Sequence, residues 1–240
     1  MSMKDKSILA VGAHPDDMDF TSAGTIARFI EEGAKAYYLI CTDGSRGSSD
    51  PEMTHEKLSQ VRRDEQLKAA EILGVEKVFF LDHKDTQLLP SQLLQEQIVR
   101  HIRMLRPTMV FTMNPTFYYA VDPYGTGMST INHTDHRAVG LATMDAVFPL
   151  CRDRLIFPEH EKEGLLPHKV SELYFPSYRH EHLVDITTTF DKKLKAIEAH
   201  QSQYDSFEDE EKRMRERAEN LGREKGYALA ESFVRLLIQD

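Results

Sequence analysis

Cysteine is scarce in this chain of 240 residues, which contains only Cys41 and Cys151. Two cysteines cannot build a disulfide-rich scaffold or a cysteine-based zinc site, so we expect a reducing compartment. No apolar run approaches the ~20 residues that a membrane helix needs, and the N-terminus lacks the long apolar stretch of a signal peptide. These absences predict a cytoplasmic protein that does not bind a membrane.

An excess of positive charge is also missing. The chain has 30 Lys and Arg against 39 Asp and Glu, which gives a formal net charge of −9. Because neutralising phosphates requires clustered Lys and Arg, this balance argues against nucleic acid as a partner. Neither of the glycine-rich motifs that cradle nucleotide phosphates follows the first strand-like run, which argues against a nucleotide site there.

The chain does have an ordinary globular composition, with 40% hydrophobic and 29% charged residues. Apolar runs typical of strands lie at residues 7–13, 36–42, 78–81, 109–113 and 173–176. Segments with helical periodicity lie at residues 22–32, 56–73, 91–105, 136–148, 190–200 and 227–238. This alternation predicts an α/β fold, a Rossmann-like and mostly parallel sheet flanked by helices, in a single domain over residues 1–240.

Two segments stand out from this alternation. Residues 114–132 form a long loop that contains glycine, proline and aromatic residues, and loops of that length are usually functional or disordered. We expect this loop to shape a substrate pocket. Residues 207–225 are nearly all charged and predict a solvated helix or a mobile lid. In the preceding helix, Lys192, Lys193 and Lys195 are expected to face water.

The most informative residues, His14, Pro15, Asp16 and Asp17, directly follow the first predicted strand. Ligands of open α/β sheets bind at the carboxyl ends of strands, so a site is expected here. An imidazole and a carboxylate suit zinc, and a second carboxylate that stays off the metal can act as a base. The alternative is an acidic helix N-terminus, because Asp favours helix starts and complements the helix dipole.

A second cluster, His133-Thr134-Asp135-His136, lies where the long loop meets the next predicted helix. One of its histidines can bind a metal, while the other, held by the aspartate, can donate a proton or a hydrogen bond. The two clusters together supply three metal ligands, a free carboxylate and an open position for water, which describes metal-assisted hydrolysis. Spacing alone leaves open which aspartate and which of the two later histidines bind the metal.

These residues resemble the LmbE-like, or PIG-L, family of zinc-dependent N-acetylglucosaminyl deacetylases. The A-H-P-D-D signature of that family stands at residues 13–17, and its H-x-D-H signature at residues 133–136. Weaker matches are an R-R-x-E helix at 62–65, a V-D-I-T…K…H-x-S-Q segment from 184 to 203, and A-E-x-F at 230–233. The resemblance implies hydrolysis of an N-acetyl group from an amino sugar, which releases acetate and a free amine.

The resemblance also implies how the two signatures share the chemistry. His14, Asp17 and His136 would bind zinc, and Asp16 would be the general base that deprotonates the attacking water. Fe²⁺ or Co²⁺ are possible substitutes at a site of two imidazoles and a carboxylate, since affinity order alone does not select the metal in cells.

The same resemblance implies that His133 stabilises the oxyanion or acts as general acid, with Asp135 holding its imidazole. Arg62 matches a family arginine that contacts the sugar or its attached group. Arg46, in the Gly- and Ser-containing loop after the second strand, is a further candidate for an anionic substrate group or else a solvent-exposed loop residue. The expected partner is a small amino-sugar substrate, and assembly into a homo-oligomer is left open.

Some features depart from the family pattern. Some members place a tyrosine just before the H-x-D-H signature to assist the oxyanion, whereas this chain has Ile131 there and its nearest preceding tyrosine is Tyr124. Two alternatives to sugar deacetylation therefore stay open: hydrolysis of a different amide or acyl conjugate at the same metal site, and a non-catalytic metal-binding scaffold.

Overall fold

A central β-sheet organises the structure, a computed structural model that describes residues 3–123 and 129–239. Within these ranges the strands are β1 (Ser7–Gly12), β2 (Lys35–Thr42), β3 (Lys77–His83), β4 (Met109–Thr112), β5 (Tyr119–Ala120), β6 (Thr130–Ile131), β7 (Glu172–Pro176), β8 (His182–Asp185) and β9 (Ala230–Leu237). Seven of them form one sheet in the order β3-β2-β1-β4-β7-β9-β8, and β5 pairs with β6 in a separate hairpin.

Helices cover both faces of this sheet. They are α1 (Asp17–Glu31), α2 (His55–Leu73), α3 (Gln92–Leu105), α4 (Thr134–Asp145), α5 (Glu159–Lys162), α6 (Phe190–Glu198) and α7 (Phe207–Gly222). One layer contains α1, α2 and α6, which contact one another, and another contains α3 and α4. Among the described residues, no helix combines the length and apolar character needed to cross a membrane.

Burial on both faces explains why the central strands have such apolar sequences. Residues Ile8 to Val11 of β1 are fully buried, and β1 pairs in parallel with β2 on one side and β4 on the other. The strands β3 and β7 extend this parallel arrangement. Helix-covered parallel sheets require such continuous apolar strands. The predicted Rossmann-like, mostly parallel sheet is confirmed.

The order of the strands reverses beside β1. From β1 the chain adds β2 and then β3 on one side, and it then returns to add β4 and β7 on the other side. A crevice opens at the carboxyl ends of the strands at such a switch point, and this crevice is where open α/β sheets bind ligands. The first predicted cluster follows β1 directly, since β1 ends at Gly12. Helix α1 begins at Asp17, within this cluster, and not at the expected residue 22.

The predicted helix at residues 227–238 is wrong, because this segment contains β9, which runs antiparallel between β7 and β8. Ala230 to Phe233 are buried in the sheet. Periodicity cannot distinguish a short strand that is buried on both faces from a buried helix. Phe233 and Val234, an aromatic and a β-branched residue, were the local signal that favoured a strand.

The charged segment at residues 207–225 contains α7, which is not solvated on all sides. Ala218, Leu221 and Gly222 are buried, and the helix packs against β8 and β9. A Cβ atom at Gly222 would lie 2.4 Å from the carbonyl oxygen of Tyr227, so glycine permits this close return of the chain. One face of α7 is therefore part of the folded body of the protein.

Lys193 on α6 does not face water as its position in a charged run predicted. Its side chain is 5% exposed, and its Nζ lies 2.6 Å from Oε1 of Glu231 on β9. Nζ also donates to the carbonyl oxygen of Phe20 at 2.8 Å, while Glu231 accepts from the backbone amides of Gly24 and Thr25. This buried ion pair ties α6 and α1 to the sheet.

We expect Lys193→Met to lower the free energy of unfolding by about 3–5 kcal/mol, because it leaves the Glu231 carboxylate buried without its cation. Lys192→Met is the matched control on the same helix. Lys192 pairs with Glu31 at 3.3 Å in a more exposed position, where an ion pair contributes roughly 0–1 kcal/mol. Urea unfolding followed by circular dichroism measures both variants, and equal losses would contradict a structural role for the buried pair.

Candidate metal centre

The turn between β1 and α1 fixes the carboxylate of Asp17. Its Oδ2 accepts hydrogen bonds from the backbone amides of Ala13 at 2.7 Å and His14 at 2.8 Å. These two bonds leave Oδ1 facing the crevice, where it lies 2.9 Å from Nε2 of His136. The turn therefore holds one carboxylate oxygen of Asp17 and leaves the other available to a ligand.

A close approach of α4 to the end of β4 brings His136 to the same point. A Cβ atom at Gly140 would lie 2.3 Å from the carbonyl oxygen of Met113, so only glycine allows this packing. His136 lies four residues earlier on α4, on the same face of the helix. Its Nε2 is 3.3 Å from Nδ1 of His14, so the two predicted clusters meet.

The other nitrogen of His14 faces two buried carboxylates. Nε2 lies 3.2 Å from Oδ2 of Asp135 and 3.2 Å from Oδ1 of Asp85. Asp135 is itself held by the backbone amides of Thr86 at 2.7 Å and Leu88 at 3.2 Å. Because both carboxylates accept, Nε2 carries the hydrogen and Nδ1 is turned toward His136.

Sequence reasoning missed Asp85, which is 3% exposed. Asp85 comes two residues after β3 ends at His83, so it lies at the same edge of the sheet as the first cluster. The rule that sites form at the carboxyl ends of parallel strands would have found it. It lacks the neighbouring histidine that drew attention to the other two clusters.

The pKa values in this group reflect the crowded charges. Burial lowers the pKa of His14, but its hydrogen bonds to Asp135, Asp17 and Asp85 outweigh burial and raise the pKa well above its ordinary value. Burial raises the pKa of Asp17, but the charge and hydrogen bond of His136 and those of His14 hold it well below its usual range. The buried carboxylates therefore attract positive charge to this point.

A divalent metal fits these donors. Nδ1 of His14, a carboxylate oxygen of Asp17 and Nε2 of His136 converge, and two imidazole nitrogens 3.3 Å apart are well suited to share one cation. Mixed nitrogen and oxygen donors suit zinc. His133 also contributes a nitrogen, since ligand atoms of His14, His133 and His136 all lie within 4.8 Å of one another. The site is thus able to bind a metal through either set.

Asp16 lies beside this group in a strained turn. Its φ of 105° and ψ of −33° are unusual for a residue other than glycine. The backbone amide of Asp16 donates to Oε1 of Gln66 at 2.9 Å, and Nε2 of Gln66 donates to Asp19 at 2.8 Å. Asp19 is fully buried and also bonds Nε2 of His200 at 2.9 Å and the hydroxyl of Tyr38 at 3.3 Å. This buried network supports the turn that presents Asp16.

Burial and the neighbouring negative charge of Asp17 raise the pKa of Asp16 to about 7. Its side chain is half-buried and lines a cavity that also borders Asp17 and His136. Sequence reasoning found Asp16 but missed Gln66, which lies inside α2 and has no local pattern that marks it. His200 and Asp19 form their contact from segments 181 residues apart, which only the fold brings together.

The structure places Asp135 differently from the expectation that it holds the imidazole of His133. The Asp135 carboxylate contacts His14, whereas the Asp135 backbone amide donates to Nδ1 of His133 at 3.2 Å. His133 is the N-cap residue of α4, and its ring lies 4.7 Å from the ring of His14 and 5.2 Å from that of His136. Burial and the charges of both neighbours lower the pKa of His133.

The two arginines that were predicted to meet substrate have different surroundings. Arg62 is buried on α2, where its guanidinium donates to Gln203 and lies 3.8 Å from Asp85. Arg46 is exposed on the loop after β2, and its backbone amide donates to Asp85 at 3.1 Å. Arg62 thus lies near Asp85, which itself contacts His14, whereas the Arg46 side chain is exposed to solvent.

A cavity of about 340 Å³ opens over the site. Its described lining comes from α1, the end of β4, residues that flank β5 and β6, α4, the end of β7 and α7. It includes Asp16, Asp17, Phe20, Met113, Phe117, Asn132, His136 and Met214. The expected role of the 114–132 loop in shaping a pocket agrees with this lining. Ile131 is 83% exposed and is not part of the described lining, and Tyr124 lies outside the described residues.

Comparisons with known proteins agree with this architecture. The diacetylchitobiose deacetylase of Thermococcus kodakarensis is 32% identical over 236 residues, 95% of this chain and 82% of its own. The structure of the N,N′-diacetylchitobiose deacetylase of Pyrococcus horikoshii in complex with an inhibitor superposes with a TM-score of 0.85 at 29% identity, covering 97% of this chain and 84% of that one. A 4-oxalmesaconate hydratase of Pseudomonas putida is 28% identical over 203 residues, 82% of this chain and 74% of its own.

A family model also matches the sequence. The match extends over residues 9–147, which is more than half of the chain and includes both histidine and aspartate clusters. Its description is PIG-L, GlcNAc-PI de-N-acetylase. Together with the close relative from Thermococcus kodakarensis, this match assigns the chain, and the conclusion is that it belongs to the PIG-L family.

Proposed function

We propose that this protein is a metal-dependent hydrolase that removes the N-acetyl group from a GlcNAc-type amino sugar or conjugate. The observation that carries the proposal is the position of Asp16, which lines the cavity next to Asp17 and His136 but is held by a separate network. A scaffold that only binds metal has no need of such a carboxylate. The deacetylase relatives support the amino-sugar substrate.

His14, Asp17 and His136 are the residues that we propose to hold the metal, with zinc as the native ion. Of the two possible ligand sets this one is favoured, because the turn amides already orient Asp17 toward His136. When bound, a divalent ion of this kind acts as a Lewis acid that lowers the pKa of a water molecule and polarises a carbonyl. Asp85 and Asp135 hold His14 in the orientation that this role requires.

Asp16 is proposed as the general base. It takes a proton from the attacking water as the oxygen forms its bond to the acetyl carbonyl carbon. His133, whose ring adjoins those of His14 and His136, donates a hydrogen bond to the developing oxyanion or a proton to the leaving amine. In the first case the leaving amine takes the proton that Asp16 removed from the water. The C–N bond breaks, and the products are acetate and the free amine of the sugar.

Two parts of this proposal concern the surroundings of the reaction. Arg62 is proposed to contact the sugar through rearrangement of its bonds to Gln203 and Asp85, whereas Arg46 is proposed to meet substrate only from the exposed rim. We also propose that the enzyme works in the cytoplasm, where both buried, unpaired cysteines would stay reduced.

A second candidate reaction is the addition of water to a carbon–carbon double bond. The relative from Pseudomonas putida that is named as a hydratase favours this candidate, because it covers most of this chain. Hydration and amide hydrolysis both begin with an activated water. They differ in product, since only hydrolysis of an acetamide releases acetate.

The function is tested by acetate release from the enzyme loaded separately with Zn²⁺, Fe²⁺ and Co²⁺. We expect turnover of GlcNAc or its glycosides, loss of activity with a chelator and recovery when the metal is restored. A panel of non-sugar acetamides and an unsaturated dicarboxylate serves as control. Turnover confined to one of the controls, or of no compound by an enzyme that retains metal, overturns the proposed function.

Asp16→Ala is expected to retain the metal and to lower kcat by about 100- to 10,000-fold, the usual contribution of a general base. Asp17→Ala is the matched variant one residue away and is expected to lose metal as well as activity. Metal content by mass spectrometry and acetate release are measured on the same samples. If Asp16→Ala loses the metal, Asp16 is a ligand and not the base.

Gln66→Met is expected to lower kcat by roughly 10- to 100-fold through misplacement of Asp16, with metal content and KM little changed. Gln66 is the positioning residue that joins the Asp16 amide to the Asp19 carboxylate. Gln60→Met is the control on the same helix, since Gln60 is exposed and bonds only the surface residue Asp64 in the described contacts. A parallel loss of metal, or a rise of KM with kcat unchanged, would contradict the positioning role.

A further inference from the structure

The β5–β6 hairpin carries large apolar side chains in contact with solvent. Tyr119 and Ile131 are partners in its antiparallel register, so their side chains share one face. They are 67% and 83% exposed, and Val121, directly after β5, is 75% exposed. Contiguous apolar side chains that are this exposed mark interaction sites on soluble proteins. We call this set, Tyr119, Val121 and Ile131, the hairpin face.

The hairpin is anchored at its base. The backbone amide of Asn132 donates to the carbonyl oxygen of Tyr118 at 2.8 Å. Nδ2 of Asn132 donates to the carbonyl oxygens of Asn114 at 2.9 Å and Phe117 at 3.0 Å. In the part of the chain that the structure describes, no third strand pairs with β5 or β6. Because two strands alone are only marginally stable in water, an outside surface that covers the hairpin face would stabilise the hairpin.

The hairpin face is separate from the surfaces that a substrate would meet. Phe117 and Asn132, at the base of the hairpin, line the cavity over the metal centre, and Thr130 lines a second cavity beside α7. Ile131 follows Thr130, and neighbouring residues of a strand point to opposite faces. No member of the hairpin face belongs to the described lining of either cavity. The occupant of this face is therefore not the small-molecule substrate.

Charge favours a second copy of this chain as the occupant. With a net charge of −9, two copies repel each other over most of their surfaces. Residues 114–123 and 129–132, however, carry a single formal charge, on Asp122. Two copies can therefore approach through this segment at little electrostatic cost. An anionic membrane would instead attract clustered Lys and Arg, which this segment lacks.

The composition of the hairpin also suits an interface between identical chains. A twofold axis brings the same patch of both copies together, so the hairpin face of one copy would pack on that of the other. A stable interface buries about 800 Å² on each partner, with an apolar and aromatic centre inside a polar rim. Tyr119, Val121 and Ile131 supply such a centre, and the neighbouring Ser129 and Thr130 supply part of the rim.

We propose that the hairpin face is the interface through which two copies of this chain associate about a twofold axis. This inference goes beyond the proposed function and does not require it. The partner copy also supports one wall of the cavity over the metal centre, because the base of the same hairpin lines that cavity. Asn132 directly precedes His133, so the support extends to the start of α4.

Sedimentation velocity of the metal-loaded protein at about 1–100 µM tests the interface. We expect the wild type to sediment as a dimer or a larger assembly. Ile131→Glu is expected to weaken association at least about tenfold, because the twofold axis would bury two unpaired carboxylates. Leu155→Glu is the matched control, since Leu155 is 85% exposed in the segment before α5, and it is expected to keep the wild-type mass. A wild type that is monomeric throughout, or equal dissociation of both variants, overturns the proposal.

Vesicles of phosphatidylcholine with phosphatidylserine test a membrane as the alternative occupant. A monomeric wild type that cosediments with these vesicles, through a contact that Ile131→Glu removes, assigns the hairpin face to a membrane and overturns the proposal. Cosedimentation that is absent in a wild type of dimer mass supports it.

If Ile131→Glu does not fold, Ile131→Cys treated with a bismaleimide replaces it. Cys41 and Cys151 are both buried, so the introduced thiol is the one that reacts. A covalent dimer of Ile131→Cys that Leu155→Cys does not form supports the interface, and equal yields from both variants overturn it.

The masses are measured without substrate, so failure of the proposed deacetylation leaves this test intact. Where acetate release is observed, dissociation by Ile131→Glu is expected to raise KM severalfold with metal content unchanged. An unchanged KM in the dissociated variant overturns the support of the cavity wall by the partner copy.

Discussion

The site depends on the two backbone hydrogen bonds that hold Asp17. Because the amides of Ala13 and His14 occupy Oδ2, the other oxygen of Asp17 faces His136 across the crevice. The turn can form only at the end of a buried strand, where the amides have no further ladder partner. The requirement of the backbone to satisfy its own donors therefore also orients the free oxygen of Asp17 toward His136.

The positions of His14, Asp17 and His136 could be predicted because they obey a general rule. Ligand sites of parallel sheets gather at the carboxyl ends of strands, and short clusters of histidine and aspartate there are conspicuous. The supporting residues follow no such local rule. Gln66 is one polar residue within a long polar helix, and its importance comes from the Asp16 amide 50 residues earlier. Even Asp135, which the sequence did single out, contacts His14 with its carboxylate, where the family resemblance implied His133.

The same limit applies to the fold. The parallel strands were predictable because apolar runs alternated with helices that end at recognisable residues, such as the left-handed Gly74 after α2. The strand β9 was not, because its first half, Ala230 to Phe233, is buried between two strands and lacks strand periodicity. The exposure of Lys193 was predicted wrongly for a related reason, because its partner, Glu231, is on that strand. A local pattern indicates the element to which a residue belongs, but it does not identify a contact with a residue that is distant in sequence.

Burying so many acids in one region has a consequence for the chemistry of the crevice. Asp17, Asp85 and Asp135 are each less than a tenth exposed, and each is held by backbone amides on at least one oxygen. Amides reduce the cost of burying a carboxylate but do not cancel its charge. Protonated imidazoles can balance part of that charge, yet a divalent cation balances more of it while leaving the imidazoles neutral. The net charge of −9 therefore says little about what this protein binds, since a cation held among these few residues would set much of the field that a substrate meets.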